Sequence, residues 1–428
     1  MKNCLILLTN SYPYSSEESF LEPEIPYLSR EFDKVIILAI GLGKNAVKTR
    51  ETPANADCYN IGKTSKRVSR ILSLFKGVAN SVLPSNTPKD KEAKGDFKKR
   101  IFCEYFYARG EREFSLCKNV LKKYDFSEYD SVTVYSFWFF ATALVGSKIY
   151  DLISPSCKNI RFVSRAHGYD VYRYANSLGY LPLREYLLEK VDSVHPCSIN
   201  GERYIAEQYP LFSDKIKYRY LGTDDEGISE MNEKSFHIVS CSRLVELKRV
   251  DRIASALSLL EGEGTIRWTH IGDGETMQKI KAVCDEKLSF MEVNLMGQVS
   301  NQQVKDFYKN EKVDLFVNVS TTEGLPVSMM EAISFSIPVI ATDVGGVGEI
   351  IKDGYNGLCI PPDFTDEELA GKIKEIINSS SEERINMRRN ARKFWEENFD
   401  AQKNFSQFAK EISGKDEKIN RVKTVTQN

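Results

Sequence analysis

The chain has 428 residues, 42% of them apolar and 28% charged, with a net charge of −1. That length supports two domains with cores of their own, and that composition is the one of a soluble globular protein. The near-zero charge argues against a nucleic-acid partner, and nine scattered cysteines without a C-x-x-C pair give no zinc or redox motif and fit reduced thiols in a cytoplasm.

In chain order, the opening apolar run is too short for a signal sequence with a cleavage site and predicts a first strand at 4–9. The loop behind it, 10–22, holds no glycine. A second strand is predicted at 35–39. The segment 63–100 carries eleven basic residues against three acidic ones, a local excess of +8, and Leu72, Leu74, Phe75, Val78 and Val82 give its middle an apolar face. A basic amphipathic helix suits an anionic membrane surface, with a solvated helix and loop as the other reading. Residues 84–96 lack apolar periodicity and read as an exposed loop. The uncharged run 131–147 falls short of the roughly 20 apolar residues that span a bilayer, so it predicts a buried strand running into a buried helix.

Further strands are predicted at 132–135, 160–164 and 193–196. His237 and His270 lie within predicted strands and His195 ends one, whereas His167 sits at a strand end beside Gly168, where ligand-facing residues lie. A packed structural role for His167 is equally open at this point. The polar, glycine-containing stretch 220–227 predicts a domain boundary, dividing the chain into 1–225 and 226–394.

In the second half, strands are predicted at 236–242, 266–271, 293–296, 314–319, 338–342 and 357–360, interleaved with amphipathic helical runs, which argues a parallel α/β sheet in each domain. Arg243 and Lys248 follow the first of these strands, placed to reach one anionic group; a forked guanidinium and a point charge suit a diphosphate. Gly272 opens a tight turn after the next strand, from which backbone contact to a base or ribose is open. The segment 320–332 is the most informative. It holds Glu323 and Glu331 eight positions apart around Gly324, Leu325, Pro326 and Val327. Pro is favoured at the first helical position, so a helix is predicted to start at Pro326, its free amides and dipole favouring an anion. A second glycine-rich strand end follows at 345–349. Residues 366–408 read as nearly all helix, and 413–428 as a disordered polar tail. No Asp-x-Asp pair occurs in the chain, so charge neutralisation of a diphosphate falls to Arg243, Lys248 and the helix start.

Glu323 with Glu331, Arg243 with Lys248, the 345–349 loop, His167 and the 220–224 segment together resemble the retaining glycosyltransferases of family 4. The resemblance implies the GT-B fold: two doubly wound Rossmann-like parallel-sheet domains facing each other across a cleft, with a last helix, about 395–412, crossing back onto the first domain. It implies that Glu323 contacts the donor sugar, Glu331 the ribose, Arg243 and Lys248 the diphosphate, and that His167 lies near the sugar. It further implies a nucleotide-sugar donor, UDP- or GDP-linked, a glycan or lipid-diphosphate-linked acceptor, no cofactor and no metal. Many relatives carry glycines in the first strand–helix loop; here Glu17, Glu18 or Ser19 are expected to stand in by capping the next helix, with Tyr169 and Asp170 also on the acceptor side. The expectation is a cytoplasmic enzyme of polysaccharide or glycoconjugate assembly, docking on the inner face of the membrane through 63–100. Two rivals share the architecture, a nucleotide-sugar epimerase and a non-catalytic transferase-like subunit.

Overall fold

The computed structural model describes residues 2–15, 17–62, 73, 75, 78, 86–232 and 234–414. The chain divides into two units, one running to Tyr220 and resuming at Lys403, the other spanning Leu221–Gln402.

The first unit is a parallel sheet of six strands, β1 (Asn3–Thr9), β2 (Lys34–Ala39), β3 (Ala56–Asn60), β4 (Ser131–Ser136), β5 (Ile160–Ala166) and β6 (Ser193–Pro196), in the order β3-β2-β1-β4-β5-β6. β1 is buried along its whole length. Its side chains alternate between two cores: Cys4, Ile6 and Leu8 join the cluster with Val134 and Phe162, while Leu5 and Leu7 join the one with Tyr135 and Val163. Helices cover both faces of such a sheet, so its central strands read as unbroken apolar runs. β3 was not expected. Its sequence, Ala-Asp-Cys-Tyr-Asn, is half-buried throughout at a sheet edge and carries no apolar run to betray it.

The second unit repeats the plan with β7 (Phe236–Cys241), β8 (Ile266–Ile271), β9 (Glu292–Leu295), β10 (Leu315–Asn318), β11 (Val339–Thr342) and β12 (Gly357–Ile360), in the order β12-β11-β10-β7-β8-β9. In each unit the strand order reverses once, between β1 and β4 and between β7 and β10. Ligands bind beyond the carboxyl ends of the strands at such points.

The run 366–408 breaks into helices Asp366–Ile377, Ser381–Asn398 and Ala401–Ser413, the first two opened by Thr365/Glu368 and Ser380/Glu383 capping boxes. The last one belongs mostly to the first unit. Phe408, Ala409 and Ile412 enter the core beside Leu5 and Tyr135, and Arg219 grips Glu411 with two nitrogens at 2.6 and 2.7 Å. Arg165, fully buried, donates to the Arg219 carbonyl at 2.7 Å, stacks on Phe408 at 4.0 Å and faces Glu24, itself bonded to the Tyr135 hydroxyl.

Among the described residues no helix is long and apolar enough to cross a membrane. The uncharged run 131–147 is β4 continuing into the buried helix Ala141–Ile153, as its composition predicts. Of the basic segment, 63–85 lies outside the described residues except for Ser73, which is buried, and Phe75 and Val78, which are exposed. The stretch 86–96 is not a free loop: Asp90 accepts from the Tyr180 hydroxyl and the Leu183 amide at 2.5 and 2.7 Å. The tail 415–428 also lies outside the described residues.

Candidate functional site

Four loops stack at the carboxyl edge of the second sheet. After β10, Asn318 turns the chain by accepting from the Ser320 amide and hydroxyl (3.1 and 2.7 Å), and Glu323 then points back over the strand end. There Glu323 accepts from Lys248 Nζ at 2.6 Å and from Asn318 Nδ2 at 3.3 Å. Lys248 comes from the loop after β7, ending a short 3₁₀ turn, Glu246–Lys248. The two residues singled out separately are thus one ion pair across the β7–β10 reversal, only 21% and 10% exposed.

Arg249, which the sequence reading passed over, holds this arrangement. It sits at φ 48° and sends its guanidinium to the carbonyls of Val319 (2.6 Å), Ser320 (3.2 Å) and Pro362 (2.7 Å). The Thr321 amide closes the same junction on the Leu247 carbonyl at 2.9 Å. On either side, glycines allow backbone to lie on backbone. A Cβ on Gly345 (φ 56°) would fall 1.9 Å from the Glu323 carbonyl oxygen, and one on Gly272 (φ 139°) 1.9 Å from that of Ser242. Only glycine adopts these conformations cheaply. The Arg243 side chain is exposed and has no hydrogen bond or ion pair with a described residue, so its charge is available at this edge.

The helix behind Glu323 begins one residue later than expected. Pro326 is its N-cap with extended backbone (ψ 109°), and Val327–Ser334 is helical. The Pro326 carbonyl takes the Met329 amide at 3.1 Å, while the amides of Val327 and Ser328 find no acceptor among the described residues. Leu325 and Pro326 are buried beneath this turn. Glu331, one turn further, is 7% exposed and accepts from Asn301 Nδ2 at 2.7 Å. Burial raises its pKa, against the lowering pull of Asn301 and Lys305. Lys305 in turn bonds Asp224 at 2.7 Å. The Tyr308 hydroxyl, buried beside Glu331 and Cys241, has no hydrogen-bond partner among the described residues. Neither Asn301 nor Tyr308 stood out in the sequence, because their helix is remote from Glu331 in the chain.

In the first unit, His167 closes β5 and is buried among Phe20, Phe137 and Trp138, ring centroids 5.0, 4.8 and 4.7 Å away. Its Nε2 lies 3.0 Å from the Phe137 carbonyl, which can only accept, so that nitrogen carries the proton. Burial and the charge of Arg165 pull its pKa down to about 3, and the ring is neutral at physiological pH. Asp170 follows on the short helix Gly168–Val171. It is fully buried, accepts from the amides of His167 (2.6 Å) and Phe139 (2.5 Å), and burial pushes its pKa up to about 7. Tyr169 beside it is 51% exposed. Glu17 and Ser19 are exposed and cap no helix among the described residues; the loop is held instead by Glu18, which turns back onto the amides of Asn10, Ser11 and Tyr12.

Comparison with known proteins fits this geometry. Residues 223–394 match the family model of the glycosyl transferases group 1. An uncharacterized glycosyltransferase of Methanocaldococcus jannaschii is 29% identical over 251 residues, 58% of this chain and 65% of the relative. An O-antigen biosynthesis glycosyltransferase of Escherichia coli is 29% identical over 164 residues, 38% of this chain and 44% of the relative. The chain therefore spans less than two thirds of these relatives. The crystal structure of Anabaena HepE in complex with UDP superimposes with a TM-score of 0.65 at 15% identity, covering 97% of this chain and 100% of that one. The chain has the GT-B fold of two Rossmann-like units, and the part of it that resembles the glycosyl transferases group 1 model, residues 223–394, lies within the second unit.

Proposed function

We propose that the protein is a retaining, metal-independent glycosyltransferase of family 4. It moves a sugar from a nucleotide-diphosphate sugar, UDP-linked in the first instance, to a glycan or lipid-linked acceptor of surface polysaccharide assembly. The observation that carries this reading is the Lys248–Glu323 pair, 2.6 Å apart on the β7–β10 reversal. A diphosphate arriving there meets Lys248, the free guanidinium of Arg243 and the open amides of Val327 and Ser328. Glu323 is left to accept hydroxyls of the sugar, and Glu331, through the oxygen not engaged by Asn301, those of the ribose.

Neither carboxylate is offered as a nucleophile: Glu323 is held by Lys248 and Asn318, and Glu331 lies on the ribose side. Departure of the diphosphate and attack of the acceptor then take place on one face of the sugar, with cationic side chains and amides stabilising the leaving group in place of a metal. The names of relatives favour a polysaccharide acceptor, one being called an O-antigen enzyme. The basic segment 63–100 supplies a docking surface for an anionic membrane.

A donor panel tests the reading. UDP-sugars and GDP-sugars are incubated with and without acceptor, and the product's anomeric configuration is read by NMR. Retention, dependence on acceptor and insensitivity to chelator are expected. Donor turnover into an epimer without acceptor would favour the epimerase. Co-sedimentation with anionic but not neutral liposomes is expected for the membrane contact; equal, negligible binding to both would remove it.

A further inference from the structure

The β1–β4 reversal of the first unit occupies the position where doubly wound domains hold ligand anions, and here its anion is a side chain. Glu18 is 6% exposed and is held at φ 59°, a left-handed conformation unusual for a residue with a Cβ. Its Oε2 accepts from the Ser11 and Tyr12 amides at 2.7 Å each and from the Ser11 hydroxyl at 3.1 Å. Its Oε1 accepts from the Asn10 amide at 2.9 Å and from the Trp138 indole at 2.5 Å. Three successive amides converging on one group form a backbone nest of the kind that binds phosphate. Arg50 fixes the carboxylate's own backbone from outside, donating to the Glu18 and Glu17 carbonyls at 3.2 and 2.9 Å.

We propose that Glu18 is an internal ligand of this nest and a positioning residue for the reaction. Its carboxylate ties the loop after β1 to Trp138 in the loop after β4. Trp138 in turn packs on His167 at 4.7 Å, and Phe20, just beyond Glu18, closes the other side at 5.0 Å. The loop needs no glycine because its amides meet a carboxylate built into the chain rather than a phosphate from solution. The nest therefore takes no donor phosphate, and removing Glu18 exposes a site for a small oxyanion. The nest stands without the transferase reading; the role of Trp138 and His167 in transfer rests on it.

The experiment compares wild type with Glu18→Ala and the isosteric Glu18→Gln by ¹H–¹⁵N spectra of the Trp138 indole and the His167 ring, titrated with sodium formate. UDP binding is measured separately by calorimetry. Both variants are expected to move the Trp138 and His167 signals. In Glu18→Ala, formate is expected to bind saturably and return both signals toward their wild-type positions, while wild type ignores formate. UDP release from the UDP-sugar that wild type turns over is expected to fall by up to about a hundredfold, as for a misplaced group, and to recover with formate. If Glu18→Ala does not fold, Glu18→Gln must still shift both signals. Unmoved signals in a folded variant, or signals that formate leaves displaced, would overturn the proposal. A loss of stability with unchanged turnover would reduce Glu18 to a loop staple and also overturn it. If wild type itself does not bind UDP, the transferase reading fails while the formate titration still decides the nest.

Discussion

His167 is built to stay neutral. Burial, helped by the charge of Arg165 and opposed by the Phe137 carbonyl on its Nε2 proton, brings its folded pKa to about 3 against 6.5 in the open chain. The unfolded chain thus binds more protons between those values, and the stability contributed by neutral His167 is present above pH 6.5 and lost as pH falls toward 3. Replacing it by Gln should flatten the stability–pH curve over that window, and ring ¹⁵N shifts should show a neutral imidazole at pH 5. A protonated ring at pH 6 would contradict the structure. Glu323→Ala should abolish transfer with the fold intact; full activity would remove this residue from the site. At this scale the sequence showed Glu323 and Lys248, because a carboxylate before a helix start and a lysine after a strand are local patterns. It hid their pairing, the clamp of Arg249 and the Tyr308 hydroxyl left without a partner among the described residues, which arise only when elements distant in the chain meet.

The loops themselves are the next level. Gly345 is required twice over, by its φ of 56° and by the Glu323 carbonyl 1.9 Å from any Cβ. Gly345→Ala should therefore cost about 1–3 kcal/mol, the range for forced backbone strain, and displace Glu323, whereas Gly354→Ala, at φ 70° with open space around it, should spare nucleotide binding. Denaturation and UDP titration of both variants check this. The helix Ala401–Ser413 depends on Arg165. Arg165→Leu leaves Glu24 buried without its cation, a change worth roughly 3–5 kcal/mol, and the double variant with Glu24→Leu should regain part of it. Equal stability of wild type and Arg165→Leu would refute that role. Strands with continuous apolar runs were legible within a residue or two, since both faces are covered. β3 was not, being a half-buried edge. In 366–408 the Thr365/Glu368 spacing marks the start of the first helix and Ser380/Glu383 the break before the second, while no such spacing marks the break before Ala401.

Across the whole molecule, alternation of strand and helix in two series was enough to give two parallel sheets, and the order of each sheet then determines where chemistry can sit. The two reversals carry different occupants: an ion pair with open amides beside it between β7 and β10, and a filled nest between β1 and β4. A nucleotide diphosphate should therefore bind in the second unit. By linkage, UDP at 100 times its Kd would stabilise that unit by about 2.7 kcal/mol. The most direct measurement is calorimetric titration of UDP and of uridine into wild type and Lys248→Ala. Saturable UDP binding to wild type, weakened by about 1–3 kcal/mol in the variant while uridine binding is unchanged, is the predicted result. Absence of saturable binding of either UDP or GDP to wild type, or equal affinity of the variant for the diphosphate, would contradict the assignment of the diphosphate to the Lys248–Glu323 edge.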